Sequence, residues 1–137
     1  MGDRRLVAGI GCTSRAGADQ IVALVRDCLG ALGKDQSALA CVATTLRRHD
    51  HPGLCEAARR LGVALRCLDQ GALAAQQGRL VVPSASVAGH TGLAGIAEAA
   101  ALAAGELVLT KRIGDGVTCA LAQVGPGFSV NRFGMPA

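Results

Sequence analysis

The chain has 137 residues, half of them hydrophobic, with a formal charge of +4 and only two aromatic residues, Phe128 and Phe133. That length suits one domain with a core of its own, needing neither metal nor disulfide staples. With no aromatic stacking platform, and with arginines scattered rather than striped along one helix, the positive balance points to an anionic partner other than nucleic acid.

The N-terminus, Met1-Gly2-Asp3-Arg4-Arg5, is charged, and the apolar run behind it is too short for a signal-peptide core or a membrane span. A cytoplasmic protein without membrane association is therefore expected. Six cysteines, Cys12, Cys28, Cys41, Cys55, Cys67 and Cys119, never form a CxxC pair and sit mostly within apolar runs. That is the pattern of reduced thiols acting as small hydrophobes, so neither zinc nor a disulfide framework is expected.

The first element is the most informative. In Val7-Ala8-Gly9-Ile10-Gly11-Cys12-Thr13-Ser14-Arg15 an apolar run reaches glycines and opens into small polar residues before a helical pattern, which reads as strand, tight turn and helix start. Glycines let backbone N–H groups approach a ligand, and a helix N-terminus carries partial positive charge, so the junction suits an anion or a hydrogen-bonding group. It is neither a full GxGxxG fingerprint nor a phosphate loop. A cysteine at a helix N-terminus would have a lowered pKa, which singles out Cys12, although no base lies close to it in the sequence.

From Arg15 to Leu32, Ile21, Leu24, Val25, Cys28, Leu29 and Leu32 fall at helical spacing, with Ser14 as a cap and Gly33 as the stop. Leu39 to Ala43 is a buried strand ending in Thr44-Thr45. Pro52 suits a first helical position, and Leu54, Ala57, Ala58 and Leu61 form one face before Gly62. Ala64 to Cys67 is a third strand, Asp69 caps a short helix over Gln70 to Gln76, and Arg79 to Pro83 is extended. The Ser-, Gly- and His-rich stretch from Ser84 to Thr91 is expected to be a mobile lid. An alanine-rich helix from about Ala94 to Ala104 carries Glu98 and closes at Gly105. Leu107 to Thr110 and Val117 to Val124 pair across Lys111-Arg112-Ile113-Gly114-Asp115-Gly116, whose Asp-Gly supplies positive φ. Residues 125–137 form an irregular tail.

This alternation predicts an α/β fold over residues 1–124: one domain, a mostly parallel sheet with an antiparallel edge hairpin, and helices on both faces. Ligands of such sheets collect outside the strand carboxyl ends. There the chain delivers Gly9, Gly11, Cys12, Thr13, Ser14 and Arg15, then Thr44, Arg48 and Lys111, with Ser86, Thr91 and Gly92 free to join from the loop and Glu98 from the following helix.

The order and spacing of Gly9-Ile10-Gly11-Cys12, the Thr44-to-Pro52-Gly53-Leu54 segment, Thr91-Gly92 with Ile96-Ala97-Glu98-Ala99-Ala100-Ala101-Leu102, Leu109-Thr110-Lys111 and Gly116-Val117-Thr118-Cys119-Ala120-Leu121-Ala122 carry a resemblance. Over about residues 6 to 123 the chain resembles the CobE/CbiG C-terminal domain family of cobalamin biosynthesis. In that family the domain occurs alone, in the aerobic corrin pathway, or at the C-terminus of the lactone-opening hydrolase of the anaerobic pathway. The length here matches the stand-alone CobE type. Where many relatives have lysine and glutamate ahead of Pro-Gly-Leu, this chain has Arg48, which keeps the charge, and His51, which replaces an acid.

The resemblance implies an anionic precorrin or corrin tetrapyrrole as ligand, whose acetate and propionate groups are natural partners for ammonium and guanidinium. Lys111, one of only two lysines, is either such a clamp or a solvated loop charge. Glu98 either faces solvent or pairs with a partner such as Lys111 or the Gly11 turn, with a general acid or base as the minor reading. His49, His51 and His90 lack a carboxylate or cysteine at ligand spacing, so no metal is expected. Nor is a resident cofactor. Three functions stay open: a tetrapyrrole-binding protein, a hydrolase-type enzyme acting on a precorrin lactone or assisting ring contraction, and a module that hands the intermediate to another pathway enzyme.

Overall fold

The computed structural model describes residues 5–69, 93–114 and 116–124. Its centre is β1 (Leu6–Cys12), buried along its whole length. On one side lie β2 (Leu39–Thr45) and β3 (Ala64–Leu68), on the other β5 (Val117–Gln123) and then β4 (Glu106–Ile113), giving the order β3-β2-β1-β5-β4. The pairs β1 with β2 and β2 with β3 are parallel, whereas β5 is antiparallel to both β1 and β4. Four strands thus share one direction and β5 alone opposes them, as the strand–helix alternation predicts.

An apolar strand such as β1 needs cover on both faces. Leu6, Ala8, Ile10 and Cys12 face α1 (Ala18–Ala31) and α2 (Pro52–Leu61), meeting Ile21, Val25, Leu29, Leu54 and Leu61 in the larger core. Alternate residues face α3 (Leu93–Leu102), where Val7 joins Ala100. Gly9 lies inside the strand rather than at its end. A Cβ there would come within 2.0 Å of the Ala97 carbonyl and 2.7 Å of the Ala101 nitrogen, because the α3 backbone rests directly on it. The alanines of α3 have the same cause, since only small side chains permit so close an approach.

Helix α1 begins later than the periodicity predicts. Thr13 to Ala16 form a turn, with the Ala16 N–H on the Thr13 carbonyl at 3.2 Å, so Gly17 rather than Ser14 is the cap. The Gln20 side chain accepts the Gly17 N–H at 2.7 Å, and the helix closes at Gly33 with φ +70. Helix α2 matches its expected limits, with Pro52 in the first turn and Gly62 in the left-handed conformation at φ +72.

The hairpin differs in one respect. Register against β5 shifts twice, so β4 carries two bulges and runs on to Ile113. Lys111 is therefore a strand residue, not part of the connection, which tightens to Gly114–Val117 through a 2.7 Å bond and Gly116 at φ +74. The helix expected over Gln70 to Gln76, the extended Arg79 to Pro83, the Ser84 to Thr91 loop with Ser86, His90 and Thr91, the adjoining Gly92, and the tail 125–137 lie outside the described residues. No helix among the described residues is long and apolar enough to cross a membrane.

Candidate functional site at the strand carboxyl ends

The co-directional β1, β2, β3 and β4 all end on the same side of the sheet, and α3, antiparallel to β1, starts there. The loop after β1 is pinned from several directions. The Thr13 N–H donates to the Gly116 carbonyl at 2.9 Å, while the Thr13 carbonyl accepts from Ala16 N–H and from His51 Nε2, the latter at 2.9 Å. At the tip, Ser14 and Arg15 are exposed, and their N–H groups have no partner among the described residues. A loop held at its base with free donors at its tip can meet an anion without reorganising.

Cys12, at the foot of this loop, is 2% exposed. Burial raises its pKa above the ordinary thiol value, with the nearby Arg48 charge opposing. The lowered pKa expected of a helix N-terminus is absent because α1 starts at Ala18, well beyond it. At Cys12, burial thus outweighs the nearby Arg48 charge that would favour the thiolate. Gly9, sealed under α3, is likewise out of reach of a ligand, and Gly11 is buried in the strand.

Thr44 also leaves the surface. Its hydroxyl donates to the Ile10 carbonyl at 2.7 Å, and the residue is fully buried, bracing β2 against β1. Thr45 then accepts the Arg47 N–H and caps a single 3-10 turn, Leu46–Arg48, which sets Arg47 in solvent and Arg48 half-buried beside Cys12. Arg47 was not singled out by the sequence. Only the strand end and its cap reveal which way it is placed.

Glu98 is 2% exposed and accepts the backbone N–H of Lys111 at 3.3 Å. The β4 bulge between Leu109 and Arg112 frees that N–H from the ladder, so among the described residues the buried carboxylate meets main chain rather than the ammonium. Lys111, half-buried, keeps its charge available. Among the described residues no ion pair engages Arg15, Arg47, Arg48 or Lys111, whereas on the outer helices Arg59 and Arg60 are tied to Glu56, and Arg60 also to Asp19.

His51, which stands where many relatives have an acid, caps α2: its Nδ1 accepts the Leu54 N–H at 3.1 Å. His49 turns Nδ1 toward the Leu46 carbonyl at 3.0 Å. No three His, Cys, Asp or Glu side chains among the described residues approach closely enough to hold a metal ion. All six cysteines are free thiols. Burial pushes Cys41 up to about 12, and the hydrogen bond between Cys28 and Cys119, with burial, raises the pKa of Cys119.

Residues 6–122 match the model of the family described as cobalamin synthesis G C-terminus. The chain belongs to that family. It is 36% identical over 121 residues to the curated protein CobE from Sinorhizobium sp., covering 85% of this chain and 79% of the relative. The crystal structure of a CobE, a protein from the cobalamin (vitamin B12) biosynthetic pathway, superposes with a TM-score of 0.76 at 33% identity, over 88% of this chain and 91% of that one. A cobalamin biosynthesis protein chiG from Agrobacterium tumefaciens gives a TM-score of 0.68 at 35% identity, over 88% and 98%. The chain is therefore a cobalamin biosynthesis protein of the CobE/CbiG type, and the cobalamin synthesis G C-terminal fold is the one built around β1.

Proposed function

We propose that the protein binds an anionic tetrapyrrole intermediate of cobalamin synthesis at the carboxyl ends of β1, β2 and β4. One observation carries the reading: Arg15, Arg47, Arg48 and Lys111, which form no ion pair among the described residues, belong to this end of the sheet, beside the Ser14 and Arg15 N–H groups, which have no partner among those residues either. Acetate and propionate groups around a corrin ring suit such a set of separated cations, each pairing with one carboxylate. Two exposed apolar side chains, Leu46 after β2 and Ile113 at the end of β4, are placed to meet the ring itself. Thr13, Ser14, Arg15, Arg48 and Lys111 are the proposed contacts, with Arg47 added and Glu98 acting through the Lys111 main chain. Ser86, Thr91 and Gly92 complete the proposal from the loop.

Among the described residues, binding is favoured over lactone hydrolysis because Cys12 is buried with a raised pKa and Glu98 accepts a backbone N–H. Transfer of the bound intermediate to a pathway enzyme is compatible with the same site. Titration with a corrin bearing free peripheral carboxylates, followed by visible absorption and by mass of the recovered ligand, tests the reading. A spectral shift with unchanged ligand mass, lost when the side chains are amidated, is expected. A new ligand mass would replace binding with catalysis, and equal affinity for the amidated ring would remove the charge argument.

A further inference from the structure

We infer that His51 is the positioning residue of the β1–α1 loop, joining that loop to the start of α2 through both nitrogens of its ring. The inference rests on the proposed place of this loop in the ligand site. Nδ1 accepts the Leu54 N–H at 3.1 Å, Nε2 lies 2.9 Å from the Thr13 carbonyl, and the residue is only 5% exposed. One ring state satisfies both partners: neutral imidazole with its hydrogen on Nε2, donating to Thr13. A hydrogen on Nδ1 would point at the Leu54 N–H. The tautomer is thus assigned from its partners.

The surroundings are shaped to the same end. A Cβ on Gly53 would stand 2.5 Å from the Ala16 carbonyl and 2.9 Å from the His51 ring, so glycine there lets the loop settle against the first turn of α2. The Thr13 carbonyl also takes the Ala16 N–H, which makes the His51 bond part of the turn that presents the Ser14 and Arg15 N–H groups. Capping alone does not call for histidine. Asn, Asp or Ser would cap α2 as well or better, but their side chains are too short to reach Thr13 as well. An acceptor and a donor on opposite sides of a rigid ring span both, and so His51 sets the tip of the loop without touching the ligand.

His51→Asn separates the two roles, keeping the cap and cutting the tie to Thr13, while His51→Ala removes both. Amide hydrogen exchange in the free protein is the first readout. In His51→Asn the Ala16 amide should exchange about tenfold faster, the scale of one lost hydrogen bond, with α2 as in the parent; in His51→Ala the start of α2 should loosen too. Ring nitrogen-15 spectra of the unaltered protein need no variant and should show hydrogen on Nε2. Titration with the free-carboxylate corrin should show affinity in His51→Asn lower by several-fold. Unchanged Ala16 exchange in His51→Asn, or hydrogen on Nδ1, overturns the inference. Faster exchange with undiminished corrin affinity supports the tie to Thr13 and removes the loop from the ligand site.

Discussion

Gly9→Ala tests the contact on which the fold depends. The added methyl would begin 2.0 Å from the Ala97 carbonyl, 2.7 Å from the Ala101 nitrogen and 3.1 Å from the Ala101 Cβ, and two of these three neighbours are backbone that no rotamer change can clear. Ordinary contact between such atoms starts near 3.5 Å, so α3 must retreat by about 1.5 Å from a strand buried on both faces. Overpacking of this kind costs about 1–3 kcal/mol when side chains can yield, and Gly9→Ala belongs at or above the upper figure. At roughly 3–4 °C per kcal/mol for a domain of this size, the melting temperature should fall by about 10 °C. Urea titration with unchanged m-value, alongside a thermal melt, gives the measurement. A loss below about 1 kcal/mol would mean that α3 does not lie on β1 as described.

Lys111→Ala should weaken binding of a free-carboxylate corrin by about 1.5–3 kcal/mol, the range for hydrogen bonds to charged groups, while the urea midpoint stays put; unchanged affinity would make Lys111 a solvated charge. Glu98→Gln retains an acceptor for the Lys111 N–H and should change stability little, whereas Glu98→Ala should cost about 1–3 kcal/mol by orphaning that donor and leaving a cavity; equal losses would contradict the pairing. Cys41, held up to about 12 by burial against an ordinary 9.0, carries a pH signature. Above about pH 9 the unfolded thiol ionises while the folded one stays neutral, so its contribution to stability is present at lower pH and falls by up to about 1.4 kcal/mol per pH unit as pH rises toward the folded value. Urea titrations at about pH 8 and about pH 10 should show a steeper alkaline loss in the parent than in Cys41→Ala, and parallel losses would show that Cys41 is not buried as described.

Much of this was legible in the sequence because hydrophobic period and punctuation act locally. Pro52 and Gly62 mark the ends of α2, and the unbroken apolar run of β1 marks a strand covered on both faces. What stayed hidden depends on groups far apart in the chain. Gly9 and Gly11 read as the end of a strand, since glycine favours turns; the reason for Gly9, a helix some ninety residues away lying on its Cα, has no local trace. The bulges of β4 are equally silent, and through them Lys111 passed for a loop residue while its N–H was bound to Glu98. For Cys12 the helix-terminus argument failed because the turn at Thr13 to Ala16 separates it from α1, leaving burial to set its pKa. His51 before Pro52 did carry a signal, the position of an N-cap, but its second bond to Thr13 spans 38 residues.

A tetrapyrrole carboxylate site at the strand carboxyl ends can be mapped by backbone amide chemical shifts during titration with a free-carboxylate corrin. The largest changes should fall on Ser14, Arg15, Arg47, Arg48 and Lys111, with α2 beyond its first turn undisturbed. Changes centred instead on Arg26, Lys34 and Gln36, which line a groove at the C-terminal end of α1, would place the ligand away from the strand carboxyl ends.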